Sequence, residues 1–340
     1  GRKTCLCERP LLSSECRRSS SKARTCLVGL EDVRMSSATK EEESTPRSTR
    51  KSIRIVAVQP RLRRDDEDPL EHASHVIDLM KKQKEKEQQN PIDLWILPEL
   101  CPIGYSEHTF ETYLNEQQAS SSVHDKIQEM MQQASKQELD HAMICFGCIG
   151  RKKKKNDDES NTTSYTIRQM VVGGGEGVVC SYYDKISICD YGDCNESRYF
   201  ESGHDGELVS FSCHGFQIGI LICADIRNPW LATQLTTAHL VDVLIQPSCF
   251  SRDCSFYSWK SFRETRAMEN QVYFVGINYA GENFGESSFN PPWIDEHHLP
   301  TIMNCDEGCL VSTIHRSVLD EVRSTFPYRK RLLKQKGQRL

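Results

Sequence analysis

Two kinds of apolar periodicity alternate along the chain from Ile53 onward, and this alternation restricts the possible folds. Residues 53–59 are rich in β-branched side chains and end before Pro60, which predicts a strand. Pro69 opens a segment, reaching about Glu87, whose apolar residues recur every three or four positions, as in an amphipathic helix. By the same criteria we expect strands at 94–97, 142–149, 164–172, 178–183, 208–211, 216–222, 241–245, 272–278 and 309–314, and helices at 123–137, 229–238 and 257–270.

Hairpins mixed with strand–helix alternation predict an α/β fold in which helices cover β-sheet. We find no internal repeat and no linker within the region, so residues 53–325 are predicted to form one domain, followed by a basic C-terminal tail at 326–340. The basic run that begins at Arg151 lies between two predicted strands. We interpret it as a solvated hairpin tip.

The segment 1–52 differs in composition from the rest of the chain. It contains no aromatic residue, and it carries twelve Lys and Arg against seven Asp and Glu. We expect it to be disordered, because it lacks the apolar periodicity that a core requires. The scarcity of acids among its first thirty residues is typical of a transit peptide. A solvated tail, or sequence upstream of a start at Met35, is an equally good interpretation, so the expected compartment is the cytoplasm, or a plastid or mitochondrion.

Composition excludes several classes of protein. The 340 residues carry a net charge of −5, which argues against a nucleic-acid-binding surface, and the chain has no apolar run long enough to span a membrane. The sixteen cysteines are too irregularly spaced for a disulfide scaffold, and no secretory signal precedes them, so we expect reduced thiols.

Three predicted strands end in residues with reactive side chains. Cys223 follows the apolar run 219–222, Glu99 follows 94–97 and a proline, and Lys185 follows 182–184. Each has an ordinary structural explanation: a packed core cysteine, a buried ion pair, and an edge-strand lysine. Together they supply the nucleophile, the general base and the oxyanion stabiliser that acyl transfer from nitrogen requires.

Other cysteine-based functions have weaker support in the sequence. Cys145 and Cys148 have the C-x-x-C spacing of redox and metal sites, but they fall inside a predicted strand rather than at a helix amino terminus. Cys305 and Cys309 lack a second pair at zinc spacing. We therefore predict no metal site, and no Cys-His protease, because no histidine shares the strand-end position of Cys223.

The order and local context of the three strand ends resemble the carbon-nitrogen hydrolase (nitrilase) superfamily. The resemblance rests on Pro98-Glu99-Leu100 with Gly104-Tyr105, on Tyr183-Asp184-Lys185, and on the segment 219–225. It extends from the strand ending in Gln59 to the turn at 306–308, and it includes the segments 195–203, 266–270 and 285–287.

The resemblance implies a four-layer α-β-β-α sandwich, assembly into a homodimer or higher homo-oligomer, and catalysis without metal or cofactor. It implies that Cys223 is a nucleophile forming a thioacyl enzyme, that Glu99 is the base, and that Lys185 stabilises the oxyanion with the backbone N–H of Ala224. Glu196 would be a second carboxylate that orients Lys185 and the substrate. The expected substrate is a small molecule with a non-peptide C–N bond.

Several positions depart from common patterns of the family or narrow the substrate. Ala224 is small where many relatives carry an aromatic residue, which would widen the pocket beside the thiol, and Ile188 stands where histidine is frequent. Arg227 could bind a substrate carboxylate as a bidentate fork, or equally form an ion pair with Asp225 or another acid. The context of Arg227 favours a linear amide or N-carbamoyl substrate. A nitrile-hydrolysing enzyme and a non-catalytic binding protein are the alternatives.

Overall fold

Two mixed β-sheets form the core of the computed structural model, which describes residues 50–88, 90–116, 122–155, 161–173, 179–192, 194–204 and 207–335. The strands are β1 (Ser52–Gln59), β2 (Leu94–Ile96), β3 (Met143–Lys155), β4 (Asn161–Val172), β5 (Val179–Asp184), β6 (Ser210–Cys213), β7 (Phe216–Ile220), β8 (Val243–Pro247), β9 (Tyr273–Ile277), β10 (Ser288–Asn290), β11 (Thr301–Ile302) and β12 (Gly308–His315). The first sheet has the order β12-β1-β2-β3-β4-β5, and the second has the order β11-β10-β9-β8-β7-β6.

The helices are α1 (Pro69–Glu87), α2 (Glu107–Glu116), α3 (Val123–Gln133), α4 (Pro229–Ala238), α5 (Phe256–Asn270), α6 (Arg316–Thr325) and α7 (Tyr328–Gln335). Helices α1 and α3 pack on the first sheet, and α5 packs on the second with α4 beside it. The sheets face each other, and the α-β-β-α sandwich expected from the sequence is confirmed. None of these helices is long and apolar enough to cross a membrane.

Each sheet has a parallel centre. In the first sheet β1, β2 and β3 run parallel, and in the second β7, β8 and β9 do so. Strands β2, β8 and β9 are buried at every position, which explains why they appear in the sequence as continuous apolar runs rather than as alternating patterns. Side chains that follow these strands therefore emerge at the carboxyl edges of two parallel sheets, where ligands bind in α/β folds.

Most predicted elements occur within a few residues of their expected bounds, and α4 occupies its expected range. The predicted helix at 123–137 is interrupted: α3 ends at Gln133, and a π-helical turn follows over Ala134–Glu138. The hairpin of β3 and β4 extends to the pair Lys155 and Asn161, so part of the basic run lies in the strand, while its centre at 156–160 lies outside the described residues.

Five elements were not predicted from the sequence: α2, β10, β11, α6 and α7. Each presents few buried side chains, for example Leu319 and Val322 in α6. Within 326–340, where we expected a basic tail, the structure places α7, whose Arg329 and Leu333 are buried. The described residues form one compact unit. Of the expected disordered segment 1–52, positions 1–49 lie outside the described residues.

One buried carboxylate attaches helix α6 to the second sheet. Asp242 precedes β8 and accepts hydrogen bonds from Arg316 Nη1 at 2.9 Å and Arg323 Nη1 at 3.0 Å. Its Oδ2 also accepts the backbone N–H of Gln217 at 3.2 Å. The α6 helix thus depends on one acid that is 6% exposed.

We expect Asp242→Ala to lower the free energy of unfolding by about 3 kcal/mol, because it leaves two arginines without their shared buried counter-charge. Urea denaturation followed by circular dichroism measures the change. Asp320→Ala is the control, since Asp320 is an exposed acid on the same helix; it should change stability by less than about 0.5 kcal/mol. Equal effects of the two substitutions would contradict the role of Asp242.

Candidate active site

The three strand-end residues singled out in the sequence lie together between the two sheets. Glu99 follows β2, Lys185 follows β5, and Cys223 follows β7. Glu99 and Lys185 are fully buried and Cys223 is 8% exposed. The two sheets therefore bring a carboxylate, an ammonium and a thiol into one interior site.

Lys185 bridges two carboxylates. Its Nζ lies 2.7 Å from Glu99 Oε1 and 2.7 Å from Glu196 Oε1. Burial alone would lower the pKa of Lys185, but the two negative charges outweigh it and raise that pKa well above its ordinary value. Lys185 is therefore a permanent cation that cannot act as a base near neutral pH.

Hydrogen bonds hold both carboxylate oxygens of Glu99. Oε1 accepts from Lys185, and Oε2 accepts the backbone N–H of Cys249 at 3.0 Å. The hydroxyl of Tyr279 donates to the Glu99 backbone carbonyl at 2.7 Å. Burial raises the pKa of Glu99, opposed by the charge of Lys185 and by a hydrogen bond from Cys223. A carboxylate with a raised pKa beside a thiol is suited to accept and return a proton.

Cys223 occupies a strained turn between a strand and a helix. Its φ is +44°, a left-handed conformation that is unfavourable for a side chain larger than glycine. The turn is held by Gln246, whose amide donates to the Cys223 carbonyl at 2.9 Å and accepts from Trp259 Nε1 at 2.9 Å. Burial and the charge of Glu99 raise the pKa of Cys223, so the free thiol is protonated until a base removes its proton.

Glu196 begins a short 3-10 turn and is 1% exposed. Besides Lys185, its Oε1 accepts from the hydroxyl of Tyr105, and its Oε2 accepts the backbone N–H of Cys189 at 2.8 Å. Each carboxylate oxygen therefore has a donor, which allows a second negative charge to be buried beside Glu99.

Asp225 ties the turn after Cys223 to the loop after Lys185. It is fully buried and accepts from Tyr183 Oη at 2.8 Å, from the Ser187 N–H at 2.7 Å and from the Ile222 N–H at 2.9 Å. The sequence left open an ion pair between Asp225 and Arg227. Asp225 instead holds these donors, and Ala224, 3% exposed, sits between it and the thiol.

Arg227 is half-buried in an aromatic setting. Its guanidinium carbon lies 5.1 Å from the ring centre of Tyr191 and 5.3 Å from that of Phe250, and Nη2 donates to Ser255 Oγ at 3.2 Å. Its Nε is buried and has no hydrogen-bond partner among the described residues. Among those residues, no acid forms an ion pair with Arg227.

Sequence reasoning did not assign roles to Tyr105, Cys189, Gln246 or Tyr279, which hold the site together. Gln246 had a recognisable signal, because it ends the apolar run of β8 just as Glu99 follows that of β2. Tyr105 was part of a quoted motif without a stated contact. Cys189 acts here through its backbone N–H, and no property of its side chain in the sequence could have indicated that.

Cys145 and Cys148, the pair with C-x-x-C spacing, are buried in strand β3 of the first sheet. Burial raises the pKa of Cys145 well above its usual range and that of Cys148 to about 12, which makes both thiols unreactive near neutral pH. Across the described ranges, His, Cys, Asp and Glu side chains do not come together in threes that could hold a metal ion.

The contact between Tyr183 and Asp225 can be tested against its neighbour in the chain. We expect Tyr183→Phe to lower the free energy of unfolding by about 1–3 kcal/mol, because it removes one donor from a buried carboxylate. Tyr182→Phe is the matched control, since Tyr182 is 49% exposed. It should change stability by less than about 0.5 kcal/mol in urea denaturation. A loss confined to Tyr182→Phe would contradict the assignment.

Comparison with known proteins gives the family. The model of the carbon-nitrogen hydrolase family matches residues 54–305. A deaminated glutathione amidase of Dictyostelium discoideum is 29% identical over 38% of this chain and 47% of its own length, and the omega-amidase NIT2 of Homo sapiens is 26% identical over 46% and 58%. The chain thus spans about half the length of the curated relatives it matches.

A solved structure agrees with the fold. Saccharomyces cerevisiae Nit3, a member of branch 10 of the nitrilase superfamily, aligns over 84% of this chain and 97% of its own, with a TM-score of 0.64 and 17% identity. With the family match over most of its length and this architecture, the chain belongs to the carbon-nitrogen hydrolase family.

Proposed function

We propose that this chain hydrolyses the non-peptide C–N bond of a small linear amide or N-carbamoyl compound through a thioacyl intermediate on Cys223. The observation that carries the proposal is the buried chain of hydrogen bonds from Glu99 through Lys185 to Glu196, next to a strained cysteine. The names of the amidases among the relatives support the choice of an amide bond.

In the acylation step, Glu99 removes the thiol proton, and Cys223 Sγ attacks the carbonyl carbon of the substrate. Negative charge then develops on the carbonyl oxygen. The Lys185 ammonium and the backbone N–H of Ala224 stabilise it, an effect worth roughly 3–4 kcal/mol per donor in acyl-transfer sites. The leaving nitrogen receives the proton held by Glu99 and departs as ammonia or an amine.

In the second step, water hydrolyses the thioester. Glu99, again a carboxylate, takes a proton from the water, and the resulting hydroxide attacks the acyl carbon. Collapse of this intermediate releases the acid and returns the proton to Cys223. The raised pKa of Glu99 suits a group that must alternately accept and donate a proton.

Glu196 acts as a positioning residue in this scheme. Because it shares Lys185 with Glu99, it keeps the ammonium charged and fixed in direction while Glu99 gains and loses its proton. Tyr105 and the Cys189 backbone hold Glu196 in place.

Arg227 selects the substrate in this proposal. A guanidinium that lies against aromatic rings, has an unpartnered Nε and is not paired with an acid can bind a carboxylate through two parallel hydrogen bonds. We therefore favour substrates that carry a carboxylate at the end remote from the amide or carbamoyl group.

Two alternatives differ from this proposal in which substrate is turned over, since a nitrile and an amide both yield an acid and ammonia. A nitrile substrate would use the same nucleophile, and a non-catalytic binding protein would release no product. A panel of ω-amides, N-carbamoyl amino acids, N-carbamoyl amines and nitriles, with ammonia and acid both measured, separates them. A homo-oligomer is a further proposal from the family resemblance, tested by the mass of the protein in solution.

The nucleophile can be tested by substitution. Cys223→Ala should lower kcat by roughly 10³-fold or more, because it removes the acyl acceptor, and Glu99→Gln by roughly 10²–10⁴-fold through loss of the base. Cys254→Ala is the control because this thiol is exposed; it should retain wild-type kcat. Mass spectrometry of the acid-quenched enzyme should detect the acyl adduct on Cys223. Undiminished turnover by Cys223→Ala would exclude this mechanism.

The role of Arg227 predicts a difference between two substrates of equal length. Arg227→Gln should raise KM for the monoamide of succinic acid by roughly 10- to 100-fold, the value of one charge-assisted hydrogen-bonded pair. It should leave KM for butyramide within about twofold. Arg198→Gln, which changes an exposed arginine, is the control. An equal rise for both substrates would mean that Arg227 supports the fold and does not bind the carboxylate.

A further inference from the structure

Four thiols surround the candidate site, and the proposed mechanism uses one of them. Besides Cys223, these are Cys249, Cys189 and Cys194. The last two lie on either side of a turn in the loop that connects Lys185 to Glu196. This loop therefore carries a pair of cysteines between two residues of the site.

Cys189 and Cys194 converge on the same backbone carbonyl. Cys189 Sγ lies 3.9 Å from Tyr191 O, and the N–H of Cys194 donates to that oxygen at 3.3 Å. Cys194 is also the largest influence on the pKa of Cys189, and Cys189 is the largest influence on that of Cys194. The two side chains therefore lie close together on one turn, and a bond between their sulfur atoms would close a short loop.

The two thiols differ in reactivity. The hydrogen bond from Cys194 lowers the pKa of Cys189 to about 7; burial opposes this shift and the Lys185 charge assists it. Burial raises the pKa of both Cys223 and Cys249. Cys189 is therefore the thiol of the site with the largest thiolate fraction at neutral pH, while Cys194 is half-buried and closer to solvent.

Hydrogen bonds connect Glu196 directly to Cys189 and, through Tyr105, to Cys194. The Cys189 N–H donates to Glu196 Oε2 at 2.8 Å, and the Glu196 N–H donates to the Cys189 carbonyl at 3.1 Å. Cys194 Sγ lies 3.9 Å from the hydroxyl of Tyr105, which donates to Glu196 Oε1. A change in the position of either sulfur is thus transmitted to the carboxylate that holds Lys185.

We propose that Cys189 and Cys194 form a reversible disulfide when the protein meets a hydroperoxide, and that this disulfide lowers the activity of the site by displacing Glu196. Formation of the disulfide is independent of the activity assigned above. The effect on turnover rests on the proposed function.

The chemistry needs one molecule of hydrogen peroxide per disulfide. The Cys189 thiolate attacks one peroxide oxygen, the O–O bond breaks, and Cys189 becomes a sulfenic acid while hydroxide leaves and takes a proton from solvent. The Cys194 sulfur then attacks the Cys189 sulfur. An S–S bond forms, the S–O bond breaks, and the Cys194 proton departs with the hydroxyl group as water. Two electrons pass from the two thiols to peroxide.

Peptide mapping tests the disulfide directly. Trypsin should release residues 186–198 as one peptide, because it cleaves after Lys185 and after Arg198, and no other Lys or Arg lies between these two cleavage sites. After exposure of the full chain to one equivalent of hydrogen peroxide and alkylation of free thiols, this peptide should lack two hydrogen atoms and carry no alkyl group. Dithiothreitol should restore two alkylatable thiols. A peptide alkylated at both cysteines after peroxide has oxidised Cys223 would overturn the proposal.

Variants identify each partner. In Cys194→Ser the Cys189 sulfenic acid has no resolving thiol, so dimedone should label Cys189 in that variant and not in the wild type. Cys254→Ser is the control, since it removes an exposed thiol outside the pair, and it should form the disulfide as the wild type does. Absence of dimedone labelling on Cys189 in Cys194→Ser would exclude Cys189 as the peroxide-reactive thiol.

Turnover tests the regulatory effect, with each protein compared with itself before and after peroxide. Wild type and Cys254→Ser should lose at least fivefold in kcat and recover with dithiothreitol. Cys189→Ser should lose less than twofold under the same treatment. A mapped disulfide with unchanged kcat would refute regulation. If no substrate of the panel is turned over, the proposed function fails, while the peptide map still decides whether the disulfide forms.

Discussion

The site depends on one buried ammonium. Lys185 lies between Glu99 and Glu196, and without its charge two carboxylates would be buried side by side at a cost that hydrogen bonds alone do not offset. The arrangement explains why several polar groups nearby hold one of the two acids in place. Tyr105 and the Cys189 backbone hold Glu196, the Cys249 backbone and Tyr279 hold Glu99, and the charge of Lys185 acts on both acids.

The fold provides this arrangement because parallel strands end at a common edge. Glu99 follows strand β2 of the first sheet, whereas Cys223 and Cys249 follow strands β7 and β8 of the second. The site therefore lies between the sheets rather than in a surface groove. The hydrogen bond from the Cys249 backbone to Glu99 and that from Tyr279 to the Glu99 carbonyl both cross from one sheet to the other. The site therefore forms only when the two sheets pack against each other.

The sequence predicted the helices and strands that have a clear local pattern of apolar and capping residues. The β-branched and apolar runs of the parallel strands and the capped helices α1 and α4 have strong patterns, and each occurs near its expected bounds. Elements with few buried side chains were missed because few apolar residues mark them; α6, for example, buries Leu319 and Val322. In α7 the burial of Arg329 depends on carbonyls of Thr236 and Val241, which are distant in the chain. A basic segment gives no local sign of such partners.

The sequence by itself determined the identities and the order of Glu99, Lys185 and Cys223 at strand ends, because periodicity and strand termination are local properties. These motifs carry the family resemblance that implied the sandwich. Tertiary structure decided which donors satisfy the buried carboxylates, with Tyr105 donating to Glu196 and Tyr183 to Asp225. It also placed Gln246 where its amide donates to the backbone carbonyl of Cys223. It also decided that Asp225 is not the partner of Arg227 and that Cys189 and Cys194 converge on the Tyr191 carbonyl. The physical reason is that hydrogen bonds to buried charges are short-ranged, so their partners are set by which loops the two sheets bring within 3 Å, roughly the N–H···O distance.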